Sequence, residues 1–249
     1  MALETPVNPR VQAFSRNGHP AAAKPVLVVG APRKSRRRES WSLRALNVTI
    51  AALGLILAAP LMLVIALLIK LTSPGPVFYT QWRVGLDRRN GSSPYPGSRR
   101  RVDHGGRLFR IYKFRTMRVD ADNAGQVWAT PNDSRVTPIG RILRQYRLDE
   151  LPQLFNVLIG DMNIVGPRPE QPAIFQQLRT QIEGYAQRQR VRPGITGWAQ
   201  VNQHYDRSIE DVKRKVQLDL EYIEKRSVLH DLKIMLRTLP VMIFRQGAW

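Results

Sequence analysis

The chain has 249 residues, no cysteine and a formal net charge of +20, from 39 Lys and Arg against 19 Asp and Glu. This length allows one or two domains. The lack of thiols excludes disulfides, thiolate metal sites and a cysteine nucleophile. The excess of cations favours an anionic partner, and composition leaves nucleic acid, phospholipid and a phosphorylated substrate all open.

The N-terminal segment, residues 1–40, predicts a disordered basic tail. It holds five prolines and a run of arginine and lysine at positions 33–38. Such a composition buries too little apolar surface to order the chain.

A run without charges follows, from Val48 to Ile69. As a helix it would be about 33 Å long, enough for a hydrocarbon core of about 30 Å. Basic clusters flank it on both sides, whereas a simple span has one basic side. Pro60, near the middle, removes a backbone donor and favours a break. We therefore predict that residues 41–71 form a re-entrant helix–break–helix with both ends on the cytoplasmic face; a kinked spanning helix is the alternative.

The remaining residues, 72–249, predict a cytoplasmic domain that is mostly α with a small β-sheet (α+β). Strands are expected at 77–80 and 108–117, a basic loop at 87–106, and helices at 136–147, 209–225 and 229–244. Alternation along the second strand places Lys113 and Arg115 on one face of that strand. Two cations on one face are either a phosphate-binding site or part of a solvated surface. The apolar stripe of the last helix fits a core face or a membrane interface.

Two adjacent carboxylates, Asp149 and Glu150, precede Pro152 and an amphipathic stretch that ends at Gly160. This pattern places them at or near a helix N-terminus. They are either a cap and dipole partner or a working pair. In a working pair, one carboxylate attacks phosphorus or holds magnesium, and the other orients it or moves a proton. Several arginines suit the charge that develops in phosphoryl transfer, namely those at 144, 147, 168 and 192.

Five motifs occur in a fixed order: 113–117 (KFRTM), 148–157 (LDELPQLFNV), 160–162 (GDM), 166–169 (GPRP) and 192–202 (RPGITGWAQVN). With the apolar segment before them, they resemble the bacterial sugar transferases, the monotopic polyprenyl-phosphate phosphoglycosyl transferases, in their compact form. The resemblance runs from Arg44 to Phe244. The chain departs from the family in its extended basic loop and in Tyr146-Arg147, where small hydroxyl residues are common.

The resemblance implies transfer of a sugar-1-phosphate from a nucleotide-diphosphate sugar, usually a UDP-sugar, to polyprenyl (undecaprenyl) phosphate with release of UMP. It makes Asp149 the nucleophile of a ping-pong mechanism, near Mg²⁺, and Glu150 the supporting carboxylate. It makes Pro60 the membrane break. It assigns substrate binding to Lys113, Arg115, Arg144, Arg168, Pro169 and Arg192.

The implied partners are the nucleotide-sugar donor, the polyprenyl phosphate acceptor and the bilayer, without nucleic acid; a homodimer is left open. The implied place is the bacterial inner membrane, with the catalytic domain on the cytoplasmic face, at the first membrane step of exopolysaccharide or glycan synthesis. The alternative enzyme is a Mg²⁺-dependent diphosphatase acting on lipid or nucleotide diphosphates. A basic membrane-anchored scaffold is the alternative outside enzymes.

Overall fold

The computed structural model describes residues 39–88, 104–119, 133–203 and 208–243. The predicted tail therefore lies almost wholly outside the described residues, as does most of the basic loop. Within them the chain is mostly helical and contains two small two-stranded sheets, which confirms the predicted α+β class.

The helices are α1 (Trp41–Thr72), α2 (Pro138–Gln145), α3 (Gln153–Ile159), α4 (Pro172–Gln181), α5 (Trp198–Asn202), α6 (Ile209–Lys225) and α7 (Val228–Ile243). The strands are β1 (Phe78–Val84), β2 (Leu108–Phe114), β3 (Asn163–Val165) and β4 (Gly194–Thr196). Short 3₁₀ segments lie at Leu148–Glu150 and Tyr185–Arg190.

The two sheets differ in how well the sequence predicts them. Antiparallel β1 and β2 form the expected small sheet, with Tyr79 opposite Lys113. The first strand extends to Val84 instead of residue 80, and the second ends at Phe114 instead of residue 117. Parallel β3 and β4 were not predicted. Each has only three residues, so neither carries a readable alternation, and their pairing depends on contacts distant in sequence.

The apolar segment forms one helix, α1, that continues through Pro60. The predicted division into two helices at this proline is therefore not seen. Proline removes one helical hydrogen bond, but the long apolar runs on both sides favour helix, where backbone groups find partners within the segment. The side chain of Ser40 caps the start of α1 by accepting a hydrogen bond from Leu43 N at 3.2 Å.

One face of α1 packs against the rest of the protein. Leu43, Asn47 and Ala51 are buried in its first half, and Ile65 and Ile69 in its second half. The opposite face exposes large apolar side chains at Leu53, Ile56, Leu57, Leu63, Val64, Leu67 and Leu71. An apolar surface of this extent marks a binding interface rather than a solvated face.

Helix α3 connects α1 to the β1–β2 sheet. Its C-terminal carbonyls of Val157 and Leu158 accept hydrogen bonds from Arg44 of α1 at 2.8 and 2.9 Å. The buried Asn156 accepts from the backbone N–H of Tyr112 and donates to the carbonyl of Arg110, both in β2. The turn that precedes α3 is thereby held between the apolar helix and the sheet.

Candidate active site

The two carboxylates lie in the 3₁₀ turn Leu148–Glu150, three residues before α3. The turn begins after Arg147, which has a left-handed backbone with φ of 55°. This conformation is uncommon and costly for a residue with a side chain, and such strain is found at functional sites. Asp149 and Glu150 are each 8% exposed. Burial of two adjacent carboxylates requires compensating cations, and a surface cap would not.

Glu150 is fully engaged by two cations. Its Oε1 accepts from Lys113 Nζ at 3.1 Å and from Arg168 at 2.7 Å, and its Oε2 accepts from Arg168 at 3.3 Å. Burial alone would raise the pKa of Glu150, but the charges of Arg168 and Lys113 hold that pKa well below its usual range. Glu150 is therefore an ionised acceptor that fixes two cations in place.

Asp149 has a different environment. Among the described residues, the cation within ion-pair distance of its carboxylate is Lys113, at 3.9 Å. Burial raises the pKa of Asp149; Lys113 opposes the shift and the neighbouring Glu150 adds to it. A buried carboxylate with weak pairing is a better nucleophile than one held by short ion pairs. The two carboxylates thus have unequal environments: Asp149 is weakly paired, and Glu150 is held by two cations.

Arg144 is the third predicted substrate-binding residue near the dyad. Its Nε donates to the hydroxyl of Thr116 at 2.9 Å. Burial lowers the pKa of Arg144, and the nearby charge of Asp149 opposes that shift. Lys113, Arg144 and Arg168 therefore place positive charge around the dyad.

Two other predicted substrate-binding residues hold the ends of α1 instead of contacting the dyad. The guanidinium of Arg115, beyond the end of β2, donates to the carbonyls of Pro74 and Ser73, the latter at 2.8 Å. The prediction that it shares a strand face with Lys113 is wrong, because β2 ends at Phe114. Arg192 donates to the carboxylate of Glu39, just before α1, and to the carbonyl of Gly160.

Strand β1 contributes residues that the sequence did not single out. Tyr79 pairs with Lys113 across the sheet, so alternation places Tyr79 and Arg83 on the face of Lys113. Arg83 donates to the carbonyl of Pro169 at 3.2 Å and lies 3.5 Å from the carboxylate of Glu170. Burial lowers the pKa of its guanidinium. Alternation through residues 78–84 would have identified this face, had the full strand been predicted.

The donor chemistry of the site fits magnesium only in part. Within the described residues, no group of three or more Asp, Glu, His or Cys side chains is placed so that it could hold a metal ion. Both oxygens of Glu150 are already occupied by cations, which leaves Asp149. Magnesium is commonly held by one or two carboxylates together with water and substrate phosphates. Asp149 therefore fits as the protein ligand of an ion that substrate phosphates complete.

These features define a basic site centred on a buried carboxylate pair and joined to a long apolar helix, which suits phosphate-containing substrates at a membrane. Residues 38–92 and 89–245 match the family described as bacterial sugar transferase. The chain belongs to this family.

The names of curated relatives specify related reactions. The chain is 41% identical to a UDP-N-acetylgalactosamine-undecaprenyl-phosphate N-acetylgalactosaminephosphotransferase of Aeromonas hydrophila, covering 82% of this chain and 44% of that protein. It is 43% identical to a UDP-glucose:undecaprenyl-phosphate glucose-1-phosphate transferase of Escherichia coli K12, covering 79% and 39%. A Caulobacter vibrioides protein of the same name is 42% identical, covering 83% and 71%. The chain thus spans less than half the length of the first two.

Proposed function

We propose that this protein transfers a sugar-1-phosphate from a UDP-sugar to polyprenyl phosphate. The observation that carries the proposal is the unequal pair: Asp149 is buried but weakly paired, whereas Glu150 is saturated by Lys113 and Arg168. The names of the relatives specify the same donor class and acceptor. Because those names include glucose and N-acetylgalactosamine, the sugar itself is left open.

The proposed chemistry has two steps. A carboxylate oxygen of Asp149 attacks the sugar-linked phosphorus of the donor, and the bond from that phosphorus to the bridging oxygen breaks, releasing UMP. A phosphate oxygen of the acceptor then attacks the same phosphorus, and the bond to Asp149 breaks. The products are free enzyme and a polyprenyl diphosphate sugar. Dividing the transfer lets two dissimilar substrates use one site in turn.

The side chains around Asp149 stabilise charge in both steps. Lys113 and Arg168 are held by Glu150 before substrate arrives, so little reorganisation is needed when negative charge develops on the phosphoryl oxygens. Arg144 adds a cation on the α2 side. Magnesium held by Asp149 and the substrate phosphates would supply further neutralisation of phosphate charge.

The proposed membrane placement is that both ends of α1 lie on the cytoplasmic side of the bacterial inner membrane. With 32 residues, a straight α1 would extend about 48 Å. Yet the domain contacts both of its ends: Asn47 accepts from Ile164 N of β3 at 2.6 Å, and Ile69 packs with Phe114 and Leu143. A spanning helix would place one end beyond the bilayer, away from the domain. These contacts favour insertion into one leaflet.

Helix α7 supports this placement. Its side chains of Leu229, Leu232, Leu236 and Leu239 are exposed, whereas Met235 packs on the core. Of the two interpretations of this stripe, the exposed leucines favour the membrane interface. An amphipathic helix binds the interface with its apolar face toward the acyl chains.

The function is tested by incubating the purified full-length protein with undecaprenyl phosphate and a panel of UDP-sugars that includes UDP-glucose and UDP-N-acetylgalactosamine. We expect at least one donor to yield UMP and a lipid diphosphate sugar in equal amounts. UMP release without lipid product would favour the diphosphatase instead. Turnover of no donor would contradict the proposed transfer.

The placement predicts the labelling of introduced cysteines, which are unique because the chain has none. Ser42→Cys, at the start of α1, and Thr80→Cys, beyond its end, are both at exposed positions. We expect a membrane-impermeant maleimide to label both in inverted membrane vesicles and neither in intact spheroplasts. Labelling of the two cysteines from opposite sides would establish a spanning helix.

A further inference from the structure

A buried ion pair lies behind Arg168. Arg188, in the 3₁₀ segment Tyr185–Arg190, is 1% exposed, and Asp219 of α6 is 2% exposed. Their side chains meet at 2.6 Å between Nε and Oδ2. The guanidinium of Arg188 also donates to the hydroxyl of Tyr185 and to the backbone carbonyl of Arg168, each at 3.0 Å. The pair thus joins α6 to the backbone of a residue whose own guanidinium binds Glu150.

Arg168 depends on such support because its backbone belongs to no helix or strand. It lies in the connection between β3, which ends at Val165, and α4, which begins at Pro172. Its long side chain must nevertheless present two donors to one carboxylate. A loop residue keeps that geometry when neighbouring contacts fix its backbone.

Stability alone is a weak explanation for this pair. Removing two charges from water costs several kcal/mol each, and well-packed apolar residues of similar volume often stabilise a core equally well or better. The ion pair instead fixes the orientation of the side chains that it joins. Three bonds to separate acceptors fix the guanidinium of Arg188 and, through it, the carbonyl of Arg168.

We propose that Arg188 and Asp219 act as positioning residues for phosphoryl transfer, by holding Arg168 where its guanidinium meets Glu150 and then the phosphoryl oxygens of the donor. This rests on the proposed function. Neither residue touches the reacting atoms; both act through Arg168.

A second ion pair between the same two elements provides the control. Arg190 and Glu224 join the 3₁₀ segment to α6 at 2.7 Å, but Glu224 is 55% exposed. We expect Asp219→Asn to lower kcat about 10- to 100-fold, with less than a twofold change in KM for the UDP-sugar. Glu224→Gln should leave both constants near wild type. An unchanged kcat in Asp219→Asn would overturn the proposal.

Asp219→Asn leaves Arg188 buried without a counterion, so a double replacement tests the role apart from folding. Arg188→Met with Asp219→Leu removes both charges and keeps the volume apolar. We expect the melting temperature to remain near wild type and kcat to fall as in Asp219→Asn. Wild-type kcat in this folded variant would show that the pair has no positioning role.

A double-mutant cycle identifies the route of the effect. If the pair acts through Arg168, Asp219→Asn should lower kcat by less than about twofold further in an Arg168→Ala background. Independent, multiplicative losses would overturn the proposal. The controls also separate the two hypotheses. A wild-type protein without transfer activity contradicts the proposed function, whereas an active wild type with multiplicative losses of kcat in the double variant contradicts only the positioning role.

Discussion

Replacing Asp149 by Asn should lower sugar-phosphate transfer by about 10⁴-fold or more, the scale expected when a nucleophile is removed from a catalytic unit. An amide has nearly the same shape but lacks the negative charge needed to attack phosphorus. UMP release from the donor alone should disappear together with lipid product, because both depend on the same first step. The measurement is single-turnover UMP release with and without undecaprenyl phosphate, using purified protein in detergent.

The melting temperature of the Asp149→Asn variant provides the control for this substitution. Burial raises the pKa of Asp149, so the charge on this carboxylate costs free energy in the folded protein relative to the unfolded chain. Asn removes that unfavourable charge, and we expect a melting temperature equal to or above that of wild type. Such an exchange of activity against stability is common at active sites.

Mass spectrometry of wild-type protein mixed with donor alone tests the same step directly. A sugar-phosphate adduct on the peptide that contains Asp149 is expected. If Asp149→Asn retains full turnover, or if UMP appears only when donor and acceptor are both present, a covalent intermediate at this residue is ruled out.

Local patterns predicted much of the fold. The charge-free run identified α1, alternation identified β2, and the helix predicted over 209–225 matches α6. Each of these signals lies within one segment of sequence. The β3–β4 pair lacks such a signal, because strands of three residues gain their order from burial between α1, α3 and α7.

The groups that each cationic side chain contacts were much harder to predict. Lys113 and Arg115 are two residues apart, yet one contacts the dyad and the other binds the carbonyls that follow α1. Composition and motif identify both as cations, but β2 ends one residue before Arg115, and this changes what the Arg115 side chain contacts. Arg192 likewise binds Glu39, whose position before α1 is 153 residues distant in sequence.

These two arginines still contribute to the proposed function, although by another route. Arg115 fixes the chain after α1 and Arg192 fixes the chain before it, so both attach α1 to the rest of the domain. The carboxylate of Glu39 also accepts from Asn163 and Arg226, each at 2.8 Å. A site that takes one substrate from water and one from lipid requires a fixed depth in the membrane. In the proposed function, the arginines at the ends of α1 would supply that constraint.

The opposite environments of the two carboxylates lead to a prediction about pH. Asp149 must be ionised to attack, so activity should rise with pH through the pKa of Asp149. Glu150 raises that pKa, and Lys113 lowers it. In Glu150→Gln the like charge is removed, and Lys113 and Arg168 lose their main partner and act more strongly on Asp149. The acid limb of the kcat profile should therefore move to lower pH.

The same substitution should lower kcat at neutral pH by about 10²-fold, because Lys113 and Arg168 are no longer held in place for the developing phosphoryl charge. Glu170→Gln is the matched control: Glu170 pairs with Arg83 at 3.5 Å beside the site, and we expect neither the acid limb nor kcat to change appreciably. An acid limb that stays in place or moves to higher pH in Glu150→Gln would contradict the electrostatic coupling of the pair. A loss of kcat without the shift would leave Glu150 as a support for the cations alone. A shift with the loss would show that one carboxylate both positions the cations and sets the pH at which its neighbour reacts.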